Sequence, residues 1–194
     1  MTRIYDVAVL VGSLRRDSFS QRVAGALIAR SSAILALRIV SIGHLSIYNQ
    51  DEDASPPTSH SDFRASLRRA DAVLFVTPEY NRGVPGGLKN AIDIGSRPYG
   101  ESVFASRPAA IVSQSPGDLG GALANHALRP TLMFLDMPTM AQPEMYLTNV
   151  VKAVGPDGTV ANPATAASLD QFLASFAAWV ELHAPLRSSE ELAV

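Results

Sequence analysis

The chain has 194 residues, 47% of them hydrophobic and 18% charged, with a formal net charge of -2 and no cysteine. That length allows one domain with a sizeable core, and the composition is that of a globular chain rather than a disordered one. The near-neutral charge gives no support to nucleic-acid binding, which draws on a basic patch, and the lack of cysteine excludes disulfides, thiolate metal sites and thiol catalysis.

At the N-terminus, Asp6 interrupts the only apolar run of residues 1–6, so this stretch does not read as a signal peptide. No run of about 18 apolar residues is present, so no membrane span is expected, and the cytoplasm is the expected location. Val7-Ala8-Val9-Leu10-Val11 is a continuous apolar run ending at Gly12, the pattern of a strand buried on both faces. Residues 20–30 carry helical spacing, with Val23, Ala24, Leu27 and Ile28 on one side. A second strand is expected over 37–42, and residues 43–60 look like a loop with Pro56-Pro57 inside it. A short helix over 62–70 turns Phe63 and Leu67 inward, and the third strand covers 72–77. A helix over 86–95, a fourth strand over 109–113 and a helix over 121–134 follow, then a short fifth strand at 138–141. Pro130 falls inside that last helix, where it removes a hydrogen bond and is expected to kink or end it. Pro156-Asp157-Gly158-Thr159 is a turn. The final helix starts near Pro163, with Leu169, Phe172, Leu173, Phe176, Ala177 and Val180 at helical spacing.

Strands alternate with helices throughout, which argues an α/β sandwich: a parallel sheet with helices on both faces. Five strands fit the flavodoxin-like order 2-1-3-4-5, whose ligand crevice lies between strands one and three. Neither an internal repeat nor an interdomain linker is visible, so residues 1–194 are expected to form a single domain.

Three loops follow strand ends and carry the candidate chemistry. Gly12-Ser13-Leu14-Arg15-Arg16-Asp17-Ser18-Phe19-Ser20-Gln21 leads into the first helix. It offers free backbone N–H groups, the positive end of a helix dipole, three hydroxyls and an arginine, a set that suits a terminal phosphate. The G-x-x-x-x-G-K-[ST] and G-x-G-x-x-G patterns are both absent, which excludes a triphosphate P-loop and a dinucleotide fingerprint. The bland alternative is that Ser18 or Ser20 merely caps the helix.

Pro78-Glu79-Tyr80-Asn81, followed by Gly83 and by Pro85-Gly86-Gly87-Leu88-Lys89-Asn90, offers one flat ring beside backbone and amide groups. Tyr80 and Asn81 are expected at a ligand, whereas Lys89, Asn90 and Asp93 are expected to support the local fold. In Ser113-Gln114-Ser115-Pro116-Gly117-Asp118-Leu119-Gly120-Gly121 the glycines would let backbone come close to a ligand. The four histidines have no metal-ligand spacing, Gly-x-Ser-x-Gly is absent, and Asp51, Glu52 and Asp53 sit in a polar loop. A redox cofactor would supply chemistry that these side chains do not.

The Gly12-Ser13-Leu14-Arg15-x-x-Ser18-x-Ser20 motif, the stretch from Pro78-Glu79-Tyr80-Asn81 through Lys89-Asn90-Ala91-Ile92-Asp93, and Ser115-Pro116-Gly117 with Gly120-Gly121 resemble the NADPH-dependent FMN reductase family. The resemblance is strongest to its quinone, chromate and azo-compound reductases and spans residues 5–179. It implies a flavodoxin-like fold, non-covalent FMN and no metal. Carried over, it places Ser13, Arg15, Ser18, Ser20 and Gln21 at the phosphate. Pro78, Glu79, Tyr80 and Asn81 would lie along the isoalloxazine ring, and Ser113, Ser115 and Gly117 on its other side. It implies hydride transfer from NADPH (or NADH) to flavin N5, then electron transfer to a small acceptor in a ping-pong cycle that needs no catalytic protein residue. Tyr80 and Arg82 would meet the substrate, and Arg82 is equally read as a plain surface arginine. Family members assemble as homodimers or homotetramers. Ser20 stands where the family often has Asn, a departure that touches the phosphate loop. Two other readings stay open: a flavodoxin-type electron carrier and a non-catalytic FMN-binding regulatory module.

Overall fold

The computed structural model describes residues 3–184; Met1 and Thr2, part of the stretch weighed above as a leader, lie outside the described residues. The strands are β1 (Tyr5–Val11), β2 (Leu35–Val40), β3 (Ala72–Pro78), β4 (Ala109–Gln114) and β5 (Met145–Leu147). The helices are α1 (Phe19–Arg30), α2 (Thr58–Arg68), α3 (Gly86–Gly95), α4 (Ala122–Phe134), α5 (Val150–Ala153) and α6 (Pro163–His183). All strand pairs are parallel, and the sheet runs β2-β1-β3-β4-β5, the expected flavodoxin-like order.

Alternation along the central strands fills two cores. On one face Val7, Val9, Leu74, Val76, Ala110 and Val112 meet α1 and α6, with Phe172 and Phe176 of α6 essentially buried. On the other, Ala8, Leu10, Val73, Phe75 and Ile111 meet Phe63, Leu67, Leu88, Ile92, Leu128 and Leu132 of α2, α3 and α4. Each fully buried Phe or Leu contributes roughly 1.5–3 kcal/mol. These faces fix the register, because a slip of one residue would turn every inward side chain outward.

Several elements depart from expectation. α2 runs Thr58–Arg68 rather than 62–70, taking in the end of the stretch expected as a loop, and α5 was not expected. β2 lies two residues earlier than expected, its burial confined to its ends, Leu35 and Val40. The fifth strand is Met145–Leu147 rather than 138–141. Residues 138–140 do run along the start of β4, with Met140 N–H donating to the Ala109 carbonyl at 2.8 Å, but they make only an isolated bridge at Thr139. The chain then swings out through Pro143, which has no N–H to give a ladder, and returns to pair beside Val112, Ser113 and Gln114. Finally, α4 continues through Pro130 to Phe134. The His126 carbonyl loses its helical partner there, and both residues are exposed on the outer face of the helix.

The carboxyl ends of β1, β3 and β4 lie side by side, and the connections leave them on opposite sides of the sheet. The Gly12 N–H donates to the Val76 carbonyl at 2.8 Å, holding the exit of β1 against β3. A Cβ at Gly12 would stand 2.9 Å from Thr77 Oγ1 and 3.2 Å from both Leu88 Cδ2 and Pro78 Cδ, so only glycine lets these strands close up.

Candidate active site

α1 starts where it does because Ser18 caps it: the nearly buried Ser18 Oγ accepts from the Gln21 N–H at 3.2 Å. Among the described residues no hydrogen bond is donated by the backbone N–H of Ser13, Leu14, Arg15, Arg16 or Asp17. An unpaired run of amides thus leads into the positive end of a helix whose first turn holds no acidic residue. The exposed Arg15 lies beside it, its guanidinium carbon 5.1 Å from the Phe19 ring centre, with Arg22 at 5.1 Å from the same ring. An anion fits this end of the site.

Opposite it, the loop after β3 folds back on itself. Tyr80 and Gly83 exchange both backbone hydrogen bonds at 3.0 Å. The two residues between them, Asn81 and Arg82, have φ of 50° and 64°, as in a type I′ turn. Asn accepts that conformation readily; Arg does so at a cost. The Glu79 carboxylate, 10% exposed, is engaged within the protein. One oxygen accepts from the Leu123 N–H at 3.0 Å and the other pairs with Arg82 at 3.2 Å. Glu79 therefore caps α4, whose own first position is Gly121 without a capping side chain. The half-exposed Tyr80 ring reaches back, its hydroxyl 3.3 Å from Ser13 Oγ.

The loop after β4 closes the third side. Gly120 and Gly121 have positive φ, and a Cβ on them would come within 2.9 Å of Tyr146 and 3.0 Å of the Gln114 carbonyl. These glycines let the chain approach its own strands β4 and β5. Ser115 Oγ donates to the Gly117 carbonyl at 3.0 Å, while the backbone of Ser115 and Gly117 is tied to Leu147, Asn149 and Val150.

Between these loops lies an open cleft of about 290 Å³, lined by Ser13, Arg15, Phe19, Pro78, Glu79, Tyr80, Gln114, Ser115 and Pro116. Of the residues expected from sequence, Ser13, Arg15, Pro78, Glu79, Tyr80 and Ser115 meet there. Ser18 and Gln21 border an adjoining hollow of about 360 Å³ beside Arg22 and Asp157. Asn81, Arg82 and Gly117 stand outside the lining. Ser113 is fully buried, turned toward α4, with Asn125 Nδ2 at 3.4 Å from its hydroxyl. Ser20 is also fully buried and accepts from Gln114 Nε2 at 2.9 Å. Phe19 and Gln114, which the sequence did not assign to a ligand, also line the cleft, as does Pro116 of the Ser115-Pro116-Gly117 motif. Alternation would have found Gln114: with Val112 on the α1 side of β4, the residue two along faces the same way. Asn90 does the supporting work expected of it, accepting from the Tyr48 N–H at 2.8 Å and donating to the Ser46 carbonyl at 2.9 Å. Lys89 and Asp93 form an ion pair at 2.6 Å on α3. No group of acidic or histidine side chains among the described residues could hold a metal ion. A roomier hollow of about 460 Å³ lies between α3 and α4, away from the strand ends where this architecture places ligands.

A flavodoxin-like α/β fold with an amide-rich loop at its β1/β3 switch point defines the class. The sequence model for "NADPH-dependent FMN reductase" matches residues 5–152, and the chain belongs to that family of FMN- and NAD(P)H-dependent oxidoreductases. A quinone reductase of Pseudomonas putida is 52% identical over 184 residues, covering 94% of this chain and 98% of the relative. A 2-hydroxy-1,4-benzoquinone reductase of a Burkholderia species is 42% identical over 174 residues, covering 90% of this chain and 95% of the relative. Among solved structures, the flavoenzyme NAD(P)H:(acceptor) oxidoreductase FerB of Paracoccus denitrificans superposes with a TM-score of 0.89 at 38% identity, covering 94% of this chain and all of the other. Among the described residues no helix is long and apolar enough to cross a membrane.

Proposed function

We propose that this chain is an FMN-dependent NAD(P)H oxidoreductase whose acceptors are quinones and similar small oxidants. The observation that carries this reading is the convergence of an amide-rich, arginine-flanked helix entry with an exposed tyrosine face at one cleft. The set fits FMN: a dianionic end, a polar chain and a flat ring with hydrogen-bonding edges.

Ser13, Arg15 and the unpaired amides of residues 13–17 would hold the phosphate, with Ser18 and Gln21 shaping the helix entry behind them. The backbone of Pro78, Glu79, Tyr80 and Asn81 would run along the ring edge, with Ser115 and Gly117 across from them. Ser113 supports that wall from beneath through Asn125. Bound FMN would supply the redox chemistry, accepting hydride from NADPH and passing electrons on to the acceptor in a ping-pong cycle. The protein's part is to hold the ring, leave one face open at the mouth of the cleft and admit donor and acceptor in turn. Tyr80, exposed at that mouth, and Arg82, exposed outside the lining and paired with Glu79, would meet them. Such an open mouth suits several acceptors, including chromate, azo compounds and free flavin beside quinones. We place the protein in the cytoplasm as a single flavin-binding domain, assembled as a homodimer or homotetramer.

The test is flavin uptake. Apo-protein titrated with FMN should quench flavin fluorescence to a one-to-one endpoint. Arg15→Ala should weaken that binding by tenfold or more, since a charge-assisted hydrogen bond contributes roughly 1.5–3 kcal/mol. Equal affinity in wild type and variant would refute the phosphate assignment.

A further inference from the structure

β4 ends in two polar residues that face opposite ways. Ser113 points to α4, where Asn125 meets it. Gln114 points to α1, where its carboxamide Nε2 donates to Ser20 Oγ at 2.9 Å. Gln114 is only 2% exposed, yet it lines the cleft beside Ser13, Tyr80 and Ser115. Its other amide atom, Oε1, is buried without any hydrogen-bond partner. A buried amide oxygen left unmet costs about 1–3 kcal/mol, so such a group calls for a donor. Ser20 does not line the cleft; its hydroxyl is fully buried beneath it.

We infer that Gln114 is a ligand-binding residue whose carboxamide hydrogen-bonds a hydroxyl of the flavin's polyol chain, and that Ser20 is a positioning residue that holds this carboxamide rather than a phosphate contact. The inference rests on the FMN reading above and assigns one part of that ligand to one side chain. A phosphate dianion has no proton to offer Oε1. A polyol hydroxyl does, and it also serves the carboxamide if the amide turns over, because a hydroxyl both donates and accepts. The two residues form one unit: a short serine on α1 and a long glutamine on β4 together bring an amide to the floor of the cleft. A longer side chain at position 20 would take the space that Gln114 occupies.

The experiment measures dissociation constants of apo-protein for FMN, riboflavin and lumiflavin by fluorescence quenching, with thermal midpoints of each apo-variant as a fold check. Gln114→Met, similar in length but without hydrogen bonds, should weaken FMN and riboflavin alike by about fivefold, one hydrogen bond's worth. Lumiflavin, which lacks the polyol, should bind it as it binds wild type. Ser20→Ala should weaken FMN and riboflavin by a smaller factor and add nothing on top of Gln114→Met. The ratio of FMN to riboflavin affinity should hold in both variants and fall only in Arg15→Ala. A ratio that collapses in Ser20→Ala or Gln114→Met would assign the pair to the phosphate and overturn the inference. Equal weakening of lumiflavin would assign Gln114 to the ring and overturn it too. Should Gln114→Met not fold, Ser20→Ala alone decides through the same ratio. Wild type that binds FMN while the variants match it in all three constants overturns this inference alone. Wild type that binds no flavin overturns the functional reading and the inference with it.

Discussion

The Ser13 hydroxyl lies 3.3 Å from the Tyr80 hydroxyl, so the loop after β1 touches the loop after β3 across the mouth of the cleft. The contact joins the end proposed for the phosphate to the face proposed for the ring. Tyr80→Phe keeps the aromatic face and loses one hydrogen bond of about 1 kcal/mol, so FMN affinity should fall no more than about fivefold. Tyr80→Ala also removes the ring, worth roughly 0.5–1.5 kcal/mol in stacking, and should weaken FMN by about tenfold or more. Flavin titrations compare the two; a phenylalanine variant as damaged as the alanine variant would show that the hydroxyl, not the face, matters.

Glu79 ties the same loop to α4 by accepting from the Leu123 N–H. A carboxylate at a helix N-terminus satisfies an orphan donor and complements the dipole. Glu79→Ala should destabilise the protein by about 1 kcal/mol, the usual worth of a cap, whereas Glu79→Gln, which keeps an acceptor, should cost less. Urea denaturation gives the difference, and amide exchange at Leu123 should quicken in the alanine variant. Unchanged exchange there would refute the cap.

Two glycines make opposite predictions. At Gly12 an added methyl would sit 2.9 Å from Thr77 Oγ1, between packed strands. Gly12→Ala should destabilise by about 1–3 kcal/mol. Gly25 lies inside α1 with nothing within 4 Å of a new Cβ, so Gly25→Ala should stabilise by about 0.4–1 kcal/mol. Chemical denaturation of both settles the sign; a stabilised Gly12→Ala would mean that the β1 exit has room.

Tyr146 carries a pH prediction. Its hydroxyl lies 3.2 Å from His126 Nε2, and burial, then the neighbouring Glu144, pushes its pKa from 10.0 up to about 12 against the opposing Arg129. The neutral form is thus favoured in the folded chain. Between these two values the unfolded chain has lost the proton and the folded chain keeps it. Stability from this group is therefore complete below about pH 10 and is lost as pH rises through about 12. Denaturation midpoints of wild type should fall more steeply over that window than those of Tyr146→Phe; parallel curves would contradict the shift.

How far the sequence was legible follows from what each signal depends on. The apolar run 72–76 was legible because a strand buried on both faces fills successive positions with apolar residues, and the Pro- and Gly-rich loop that follows bounds it. The alternation of strands with helices made a parallel sheet legible; it fits the order 2-1-3-4-5 but does not prove it, and the family resemblance implied the same flavodoxin-like fold. The edge was not: β5 has three residues, and the better-looking stretch at 138–141 only brushes the start of β4. Within the site, residue types were informative but directions were not. Ser113 and Gln114 are adjacent, and only the pleat decides that the glutamine faces the cleft. Glu79 looked like part of a ligand loop, while its carboxylate caps α4, an interaction 44 positions along the chain that no local pattern announces. Gly120 and Gly121 signalled a close approach correctly; the backbone they approach is the protein's own.

The most direct test is to load the protein with FMN and mix it anaerobically with NADPH in a stopped-flow absorbance instrument. Rapid bleaching of the oxidised-flavin band, followed by its return when a benzoquinone is added, is the result expected of an oxidoreductase that works in two half-reactions. Protein that holds FMN but is bleached by neither NADPH nor NADH would contradict it and favour an electron carrier or a regulatory flavin-binding module instead.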